Sequence, residues 1–307
     1  MVLVDNYGRS TLSLRIAITQ NCNLRCGYCH REGETAIGNS EEMTDNEIVG
    51  IAKAAINLGI SRVKLTGGEP LYRKDIVDII SGINKLRGLQ DLAMTTNGCF
   101  LASLAKNLTA AGLRRVNVNI PTLNTEKYRN LTGGNLRNVI DGISEAVRAG
   151  LFPVKLNMVL LRDVNTTEVE RMIGFAEQTG TILQVIELEP INVSEEYYKK
   201  HHYELDEVEN WLEKEAHEIK TRKHMQNRRI YFLPRAKVEV VHPIENTEFC
   251  QHCTRLRVTS NGKLKPCLLK NDNLIDVLTP MRNGADDKEL TQLFIEAVKR
   301  REPYCHS

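Results

Sequence analysis

Residues 12–29 read Leu12-Ser-Leu-Arg-Ile-Ala-Ile-Thr19-Gln-Asn-Cys22-Asn-Leu-Arg-Cys26-Gly-Tyr-Cys29. The first eight alternate in the manner of a β-strand. The rest place three cysteines within eight positions, with gaps of three and then two residues. Three thiolates can hold three irons of a four-iron cluster and leave the fourth iron without a protein ligand, open to a substrate or cofactor. Zinc sites collect four ligands, usually as two pairs with a long gap between them. This run does not follow that pattern.

Outward from this stretch, short strand-like runs alternate with helical periodicity. Strands are expected at Leu12–Thr19, Arg62–Thr66, Asp91–Thr95, Arg115–Ile120, Val154–Leu160 and Leu183–Leu188. Helices are expected at Asp45–Leu58, Lys74–Leu86, Leu101–Ala111, Leu136–Ala149 and Glu168–Thr179. Gly59, Gly88, Gly112, Gly150 and Gly180 stand where those helices should stop. Such alternation implies parallel strands with right-handed crossovers. Six units fall short of a closed eight-unit barrel. The expected fold is therefore α/β, a partial (β/α)6 TIM-like barrel over residues 1–190.

From about Ile191 the pattern changes. A polar helix is expected at Asp206–Ile219, strands near Arg229–Leu233, Lys237–Val241, Leu256–Thr259 and Lys263–Pro266, and a last helix at Lys288–Lys299. Residues 191–307 are expected to form a smaller α+β region that closes the open side of the barrel. The chain has 307 residues, 41% hydrophobic and 26% charged, with a net charge of +2. That balance, and the 5% aromatic content, argue against a nucleic-acid module. No apolar run is long enough for a membrane span, and the N-terminus lacks the apolar core of a signal peptide. A cytoplasmic location is expected, where grouped cysteines read as metal ligands.

A second cysteine group, Cys250, Cys253 and Cys267, again supplies three thiolates. His252 or His242 is available as a fourth ligand, so zinc stays open here. Between these cysteines, Arg255 and Arg257 fall on one face of an expected strand, where paired guanidiniums suit a polyphosphate. Cys99, after Asn97-Gly98 at a turn, reads as a small packed residue, and Cys305 near the end has no assigned role. The first group follows the first strand, at the C-terminal edge where parallel α/β folds build active sites. Thr66-Gly67-Gly68-Glu69-Pro70 ends the second strand at the same edge, with glycines that permit close backbone approach.

With Cys22, Cys26, Tyr28, Cys29 and Gly67-Gly68-Glu69-Pro70 together, the chain resembles the radical S-adenosylmethionine (SAM) superfamily. The resemblance implies that SAM chelates the open iron. It also implies that one-electron cleavage yields a 5′-deoxyadenosyl radical, which takes a hydrogen from the substrate. It places Gly67, Gly68 and Glu69 at the methionine amino group, and Thr95, Asn119 and Lys155 around SAM, with Asn119 where serine is usual. The string Cys250-x2-Cys253-x-Arg255-x-Arg257-x-Thr259, then Gly262 and Cys267, is similar to the C-terminal cluster motif of the GTP 3′,8-cyclases of molybdenum-cofactor biosynthesis. It departs at one position, the glycine.

That likeness spans Arg15 to Cys267. It implies a second four-iron cluster whose open iron holds the guanine. It makes Arg15, Lys64, Arg255 and Arg257 contacts for GTP, with Lys155 shared between GTP and SAM and Arg62 a weaker candidate. The implied partners are GTP, SAM, an external electron donor and the downstream enzyme that forms cyclic pyranopterin. Self-association as a homodimer is left open. Two departures stand out. Gln184 occupies a place usually held by arginine, and the chain ends Arg301-Glu-Pro-Tyr-Cys-His-Ser307 without a terminal Gly-Gly. A neutral amide cannot replace a guanidinium charge. Two alternatives carry different expectations. A peptide-modifying enzyme with an auxiliary cluster would not need the paired arginines, and a zinc-binding interaction protein would hold no sulfide.

Overall fold

A computed structural model describes residues 2–34 and 42–303. Its strands are β1 (Ser13–Ala17), β2 (Arg62–Thr66), β3 (Asp91–Thr96), β4 (Arg115–Asn119), β5 (Val154–Val159), β6 (Ile182–Ile186), β7 (Glu218–Arg222), β8 (Arg228–Phe232), β9 (Lys237–Val241), β10 (Arg255–Val258), β11 (Lys263–Lys265) and β12 (Ile275–Asp276). Its helices are α1 (Asp45–Asn57), α2 (Ile76–Asn84), α3 (Leu101–Ala111), α4 (Thr125–Thr132), α5 (Leu136–Arg148), α6 (Val169–Thr179), α7 (Glu195–His201), α8 (Asp206–Glu215), α9 (Thr247–Gln251), α10 (Leu278–Arg282) and α11 (Asp287–Lys299).

Among the described residues the strands form one sheet in the order β12-β11-β10-β1-β2-β3-β4-β5-β6-β9-β8-β7. The expected partial barrel is present, as six consecutive parallel strands joined by helical crossovers. Two later strands extend it. Strand β10 pairs parallel to β1, and β9 pairs parallel to β6. The sheet therefore has eight parallel strands and stays open, with no ladder joining its two ends. Antiparallel strands β11 and β12 lengthen one end, and β8 and β7 the other.

The two faces of the sheet differ sharply. Leu14, Ile16, Val63, Leu65, Leu92, Met94, Val116, Val118, Leu156 and Leu183 are buried on the outer face, beneath the helices. The inner face carries Arg15, Lys64, Asn117, Lys155, Gln184 and Glu239 at the alternate positions. Register aligns several of these. Arg15 stands opposite both Lys64 and Arg257, Asn117 opposite Lys155, and Gln184 opposite Asn157 and Glu239.

The crossover helices lie close to their expected spans, and α1 and α11 start with capping boxes, Thr44–Glu47 and Asp286–Glu289. All five expected stop glycines have positive φ, from +65° to +109°. The expected helix Asp206–Ile219 is shorter. It ends at Glu215, and Glu218–Arg222 forms β7 against β8. The alternation in Glu-Ile-Lys-Thr-Arg has period two, which suits a strand rather than another helical turn. Short helices α4, α7, α9 and α10 were not expected. Among the described residues, no helix is long and apolar enough to cross a membrane.

Candidate active site

The first cysteines occupy the loop leaving β1, and three elements hold that loop in place. The end of β2 grips it through Gly68 N donating to Thr19 O (2.7 Å) and Glu69 N donating to Asn21 O (2.8 Å). Any side chain on Gly68 would meet the carbonyl oxygens of Asn21 and Gln20, at 2.2 and 2.5 Å from its Cβ. The close approach that these glycines permit is thus to the cysteine loop itself. The C-terminal turn of α4 supplies Thr132 O and Leu131 O as acceptors for Arg25 N (2.9 Å) and Gly27 N (3.2 Å). Helix α7 lays the Tyr197 ring against Gly27, 3.5 Å from where a Cβ would stand.

A single cavity receives both cysteine groups. Its wall includes Cys22, Cys26, Cys29, Cys250, Cys253 and Cys267, together with Arg15, Tyr28, Lys64, Gly67, Gly68, Thr95, Asn119, Lys155, Gln184, Arg255 and Arg257. Two expected residues are absent from that wall. Arg62 lies outside it. The Glu69 carboxylate is fully buried beneath it, accepting from Thr96 Oγ1 (2.7 Å), Asn97 N (2.6 Å) and Leu71 N (3.0 Å). Burial pushes that carboxyl up to about 7 despite its three donors. Glu69 fastens the end of β3 to the end of β2. Glu69→Gln sets an amide N–H against one of those donors and should lower unfolding free energy by about 1–3 kcal/mol, read by urea denaturation.

The donors fit an iron–sulfur cluster better than a single ion. Four ligands around zinc, each near 2.3 Å, hold their sulfurs roughly 4 Å apart. Among the described residues, the His, Cys, Asp and Glu groups whose ligand atoms converge within 4.8 Å comprise Asp206, Glu209 and His242, and neither cysteine trio. The expected zinc ligands are engaged elsewhere. His252 Nδ1 sits 3.0 Å from Glu248 O, and His242 Nε2 sits 3.5 Å from the buried Glu187. Neither histidine reaches the cavity wall. Burial raises the Cys22 and Cys29 thiols and pushes Cys26 up to about 12, the three also repelling one another as anions. Thiols so placed become thiolates only beside a strong positive centre, such as a cluster's irons. Cys253 behaves differently. Burial raises it, but Arg301, Arg255 and Arg257 outweigh that and lower it overall.

The walls differ in charge. On the β2–β6 side, a polar strip runs from Lys64 Nζ to Asn117 Oδ1 (2.8 Å), and from Asn117 Nδ2 to Asn157 Oδ1 (3.1 Å) and Gln184 Oε1 (3.0 Å). Tyr28 takes a hydrogen bond from Asn119 Nδ2 (2.7 Å) and so joins the cysteine loop to β4. On the β10 side, Arg257 Nη1 lies 2.5 Å from Glu32 and Arg15 Nη1 3.4 Å from the same carboxylate. Glu32 is buried at φ +51°, and although burial raises it, these arginines hold it down at about 2. Arg255 makes no such pair. Burial, then Arg15, Arg228 and Arg257, depress it well below the usual guanidinium range. Lys64 is likewise lowered well below the usual amine, by burial and by Arg15. Buried cations crowded to this extent form a site that an anion completes.

Sequence reasoning did not single out Glu32, Arg228, Glu239 or Arg301. Arg301, near the C-terminus, is almost fully buried. It donates to Thr11 Oγ1 (2.6 Å) and bonds to the Cys253 carbonyl, so the described part of the tail braces the second cysteine group. Residues 304–307, including Cys305, lie outside the described residues. Cys99 is packed against the core and does not line the cavity.

Comparison with known proteins agrees with this arrangement. Residues 16–176 match the radical SAM superfamily, and residues 181–307 match Molybdenum Cofactor Synthesis C. A probable GTP 3′,8-cyclase of Thermococcus kodakarensis is 49% identical over 99% of both chains. One from Methanothermobacter marburgensis is 46% identical over the whole of both. Among solved structures, Streptococcus suis SuiB bound to S-adenosylmethionine superimposes with a TM-score of 0.65 at 17% identity, covering 94% of this chain and 69% of that one. The native anSMEcpe structure with bound AdoMet gives 0.61 at 18% identity, covering 92% and 81%. At those identities the likeness is one of fold.

Proposed function

Since the chain belongs to the radical SAM superfamily and to its GTP 3′,8-cyclase family, we propose that it converts GTP to (8S)-3′,8-cyclo-7,8-dihydroguanosine 5′-triphosphate, the first step of molybdenum-cofactor biosynthesis. The observation that carries this reading is the one cavity lined by both cysteine trios and by an unbalanced set of cations. Cys22, Cys26 and Cys29 would hold a four-iron cluster, with Gly67, Gly68, Thr95 and Asn119 beside SAM. Cys250, Cys253 and Cys267 would hold a second cluster next to the guanine. When bound, the first cluster and SAM supply hydrogen-abstracting radical chemistry.

The chain's own residues bind, orient and exclude water. Arg15, Lys64, Arg255 and Arg257 would grip the triphosphate, which fixes the ribose between the two cysteine groups. Holding the base beside the ribose turns ring closure into an intramolecular step, the main contribution that positioning makes to rate. The helix-covered sheet and the C-terminal region wall the cavity, so a reactive carbon centre meets little solvent. The reaction also calls for an external electron donor and for a downstream enzyme that takes the cyclic nucleotide on to pyranopterin.

Binding measurements separate this reading from a peptide-modifying one. The anaerobic holoenzyme should bind GTP more tightly than GDP and leave a test peptide unbound. Lack of a triphosphate preference would sink the cyclase reading. The same assay should respond to pH. Burial lowers Lys155 to about 8, against the opposing pull of Glu239. A nearby anion favours the charged lysine, so the bound state keeps its proton to higher pH than the free state. Binding then takes up a proton above pH 8, and affinity should fall by up to tenfold per pH unit there. Lys155→Gln should remove the component centred near pH 8.

A further inference from the structure

Strand β8 reaches the cavity from beyond the end of the parallel sheet. The β7–β8 hairpin touches the second cysteine segment across the opening, with Gln226 N donating to His252 O (3.2 Å) and Thr254 Oγ1 to His224 O (3.1 Å). This brings Arg228 to the cavity wall, on the face where β9 presents Glu239. Its guanidinium is held from several directions. Nη1 lies 3.5 Å from Glu239, Nη2 donates to Gln226 Oε1 (2.6 Å), and the Phe249 ring on α9 sits 5.7 Å from the guanidinium carbon.

These restraints do not neutralise it. Glu239 is fully buried and already pairs with Lys155 and Arg222, so three cations share one carboxylate. Arg228 is itself more than nine-tenths buried, and its Nε has no hydrogen-bond partner. Its charge is felt by Arg255 on the opposite wall, and it feels Arg15 in turn. Strand β6, on the far side of β9, offers no charge at this level, because the Gln184 amide is neutral and its oxygen is used by Asn117. A buried guanidinium with a spare donor, facing other guanidiniums across a cavity, favours an anion between them.

We propose that Arg228 is a further substrate-contacting residue, which grips the phosphate chain from the β8 side while Arg255 and Arg257 hold it from the β10 side. The proposal rests on the GTP reading above and assigns the triphosphate a clamp with two walls. Because α9 carries both Phe249 and Cys250, the clamp and the second cysteine group share one support.

The test compares Arg228→Gln, Arg228→Lys and wild-type holoenzyme for binding of GTP, GDP and guanosine, under anaerobic conditions and at fixed ionic strength. Arg228→Gln should weaken GTP by roughly 30-fold or more while guanosine stays within about twofold, and Arg228→Lys should regain part of the loss. The proposal is overturned if Arg228→Gln binds GTP within about threefold of wild type, or if GTP and guanosine weaken equally, as for a purely structural role through Glu239. Should Arg228→Gln not assemble, Arg228→Lys decides alone, since an ammonium keeps the charge but loses the fork and should still lose GTP selectively. A wild type without triphosphate preference would instead refute the GTP reading itself.

Discussion

Cys26→Ala abolishes SAM cleavage and GTP conversion while leaving GTP affinity within a few-fold of wild type. Cys26 lies between Cys22 and Cys29 in the loop leaving β1, partly buried, with a thiol that burial pushes up to about 12. Only a cluster's charge keeps such a sulfur ionised, and two remaining thiolates hold a four-iron cluster poorly. The cations proposed to hold the triphosphate on β1, β2 and β10 lie on strands whose pairing does not depend on this sulfur. Iron and acid-labile sulfide should fall from about eight of each per chain to about four, with no 5′-deoxyadenosine on reduction. Full iron content with undiminished SAM cleavage would remove Cys26 from the ligand set.

Arg257→Ala weakens GTP binding by roughly 30- to 1000-fold, the second large effect. Two losses combine. The guanidinium that stands opposite Arg15 in register is gone, and Glu32 is left buried with Arg15 as its remaining short-range partner. An uncompensated carboxylate at that point repels the incoming phosphates as well as costing stability. Adding Glu32→Gln should therefore restore part of the affinity, a coupling that a calorimetric double-mutant cycle reads directly. Additive effects would mean that Glu32 and Arg257 act separately.

Much of this site was visible in the chain because it is local. The spacing of Cys22, Cys26 and Cys29, the Gly67-Gly68 pair and the Cys250–Cys267 string are short patterns, and the stop glycines mark each crossover. The pairing of β10 with β1 was not visible, since it joins Ser13 to Arg255 across most of the chain. The hydrogen bonds of Glu69 were not visible for a related reason. Its motif gives the residue but not its partners, which are Leu71 beside it and Thr96 and Asn97 at the end of β3.

One signal went unused. Parallel strands covered on both faces read as continuous apolar runs. Here Arg15, Lys64, Asn117, Lys155, Gln184 and Glu239 interrupt them at alternate positions, which announces a polar lumen. In Arg228-Arg-Ile-Tyr-Phe232 both faces begin with arginine, so alternation alone does not separate Arg228 from Arg229. Glu32 left no comparable trace, because its place depends on a left-handed backbone turn rather than on spacing. The α4 and α7 supports did leave one, in the caps Asn124 and Ser194.

The most direct test of the central claim is anaerobic turnover of the reconstituted protein with SAM, GTP and a strong reductant, followed by identification of the nucleotide product. The two-cluster cyclase reading predicts 5′-deoxyadenosine formed together with an isomer of GTP bearing a new bond between ribose C3′ and guanine C8. Formation of 5′-deoxyadenosine with GTP recovered unchanged would contradict it, leaving the radical chemistry in place and removing the substrate.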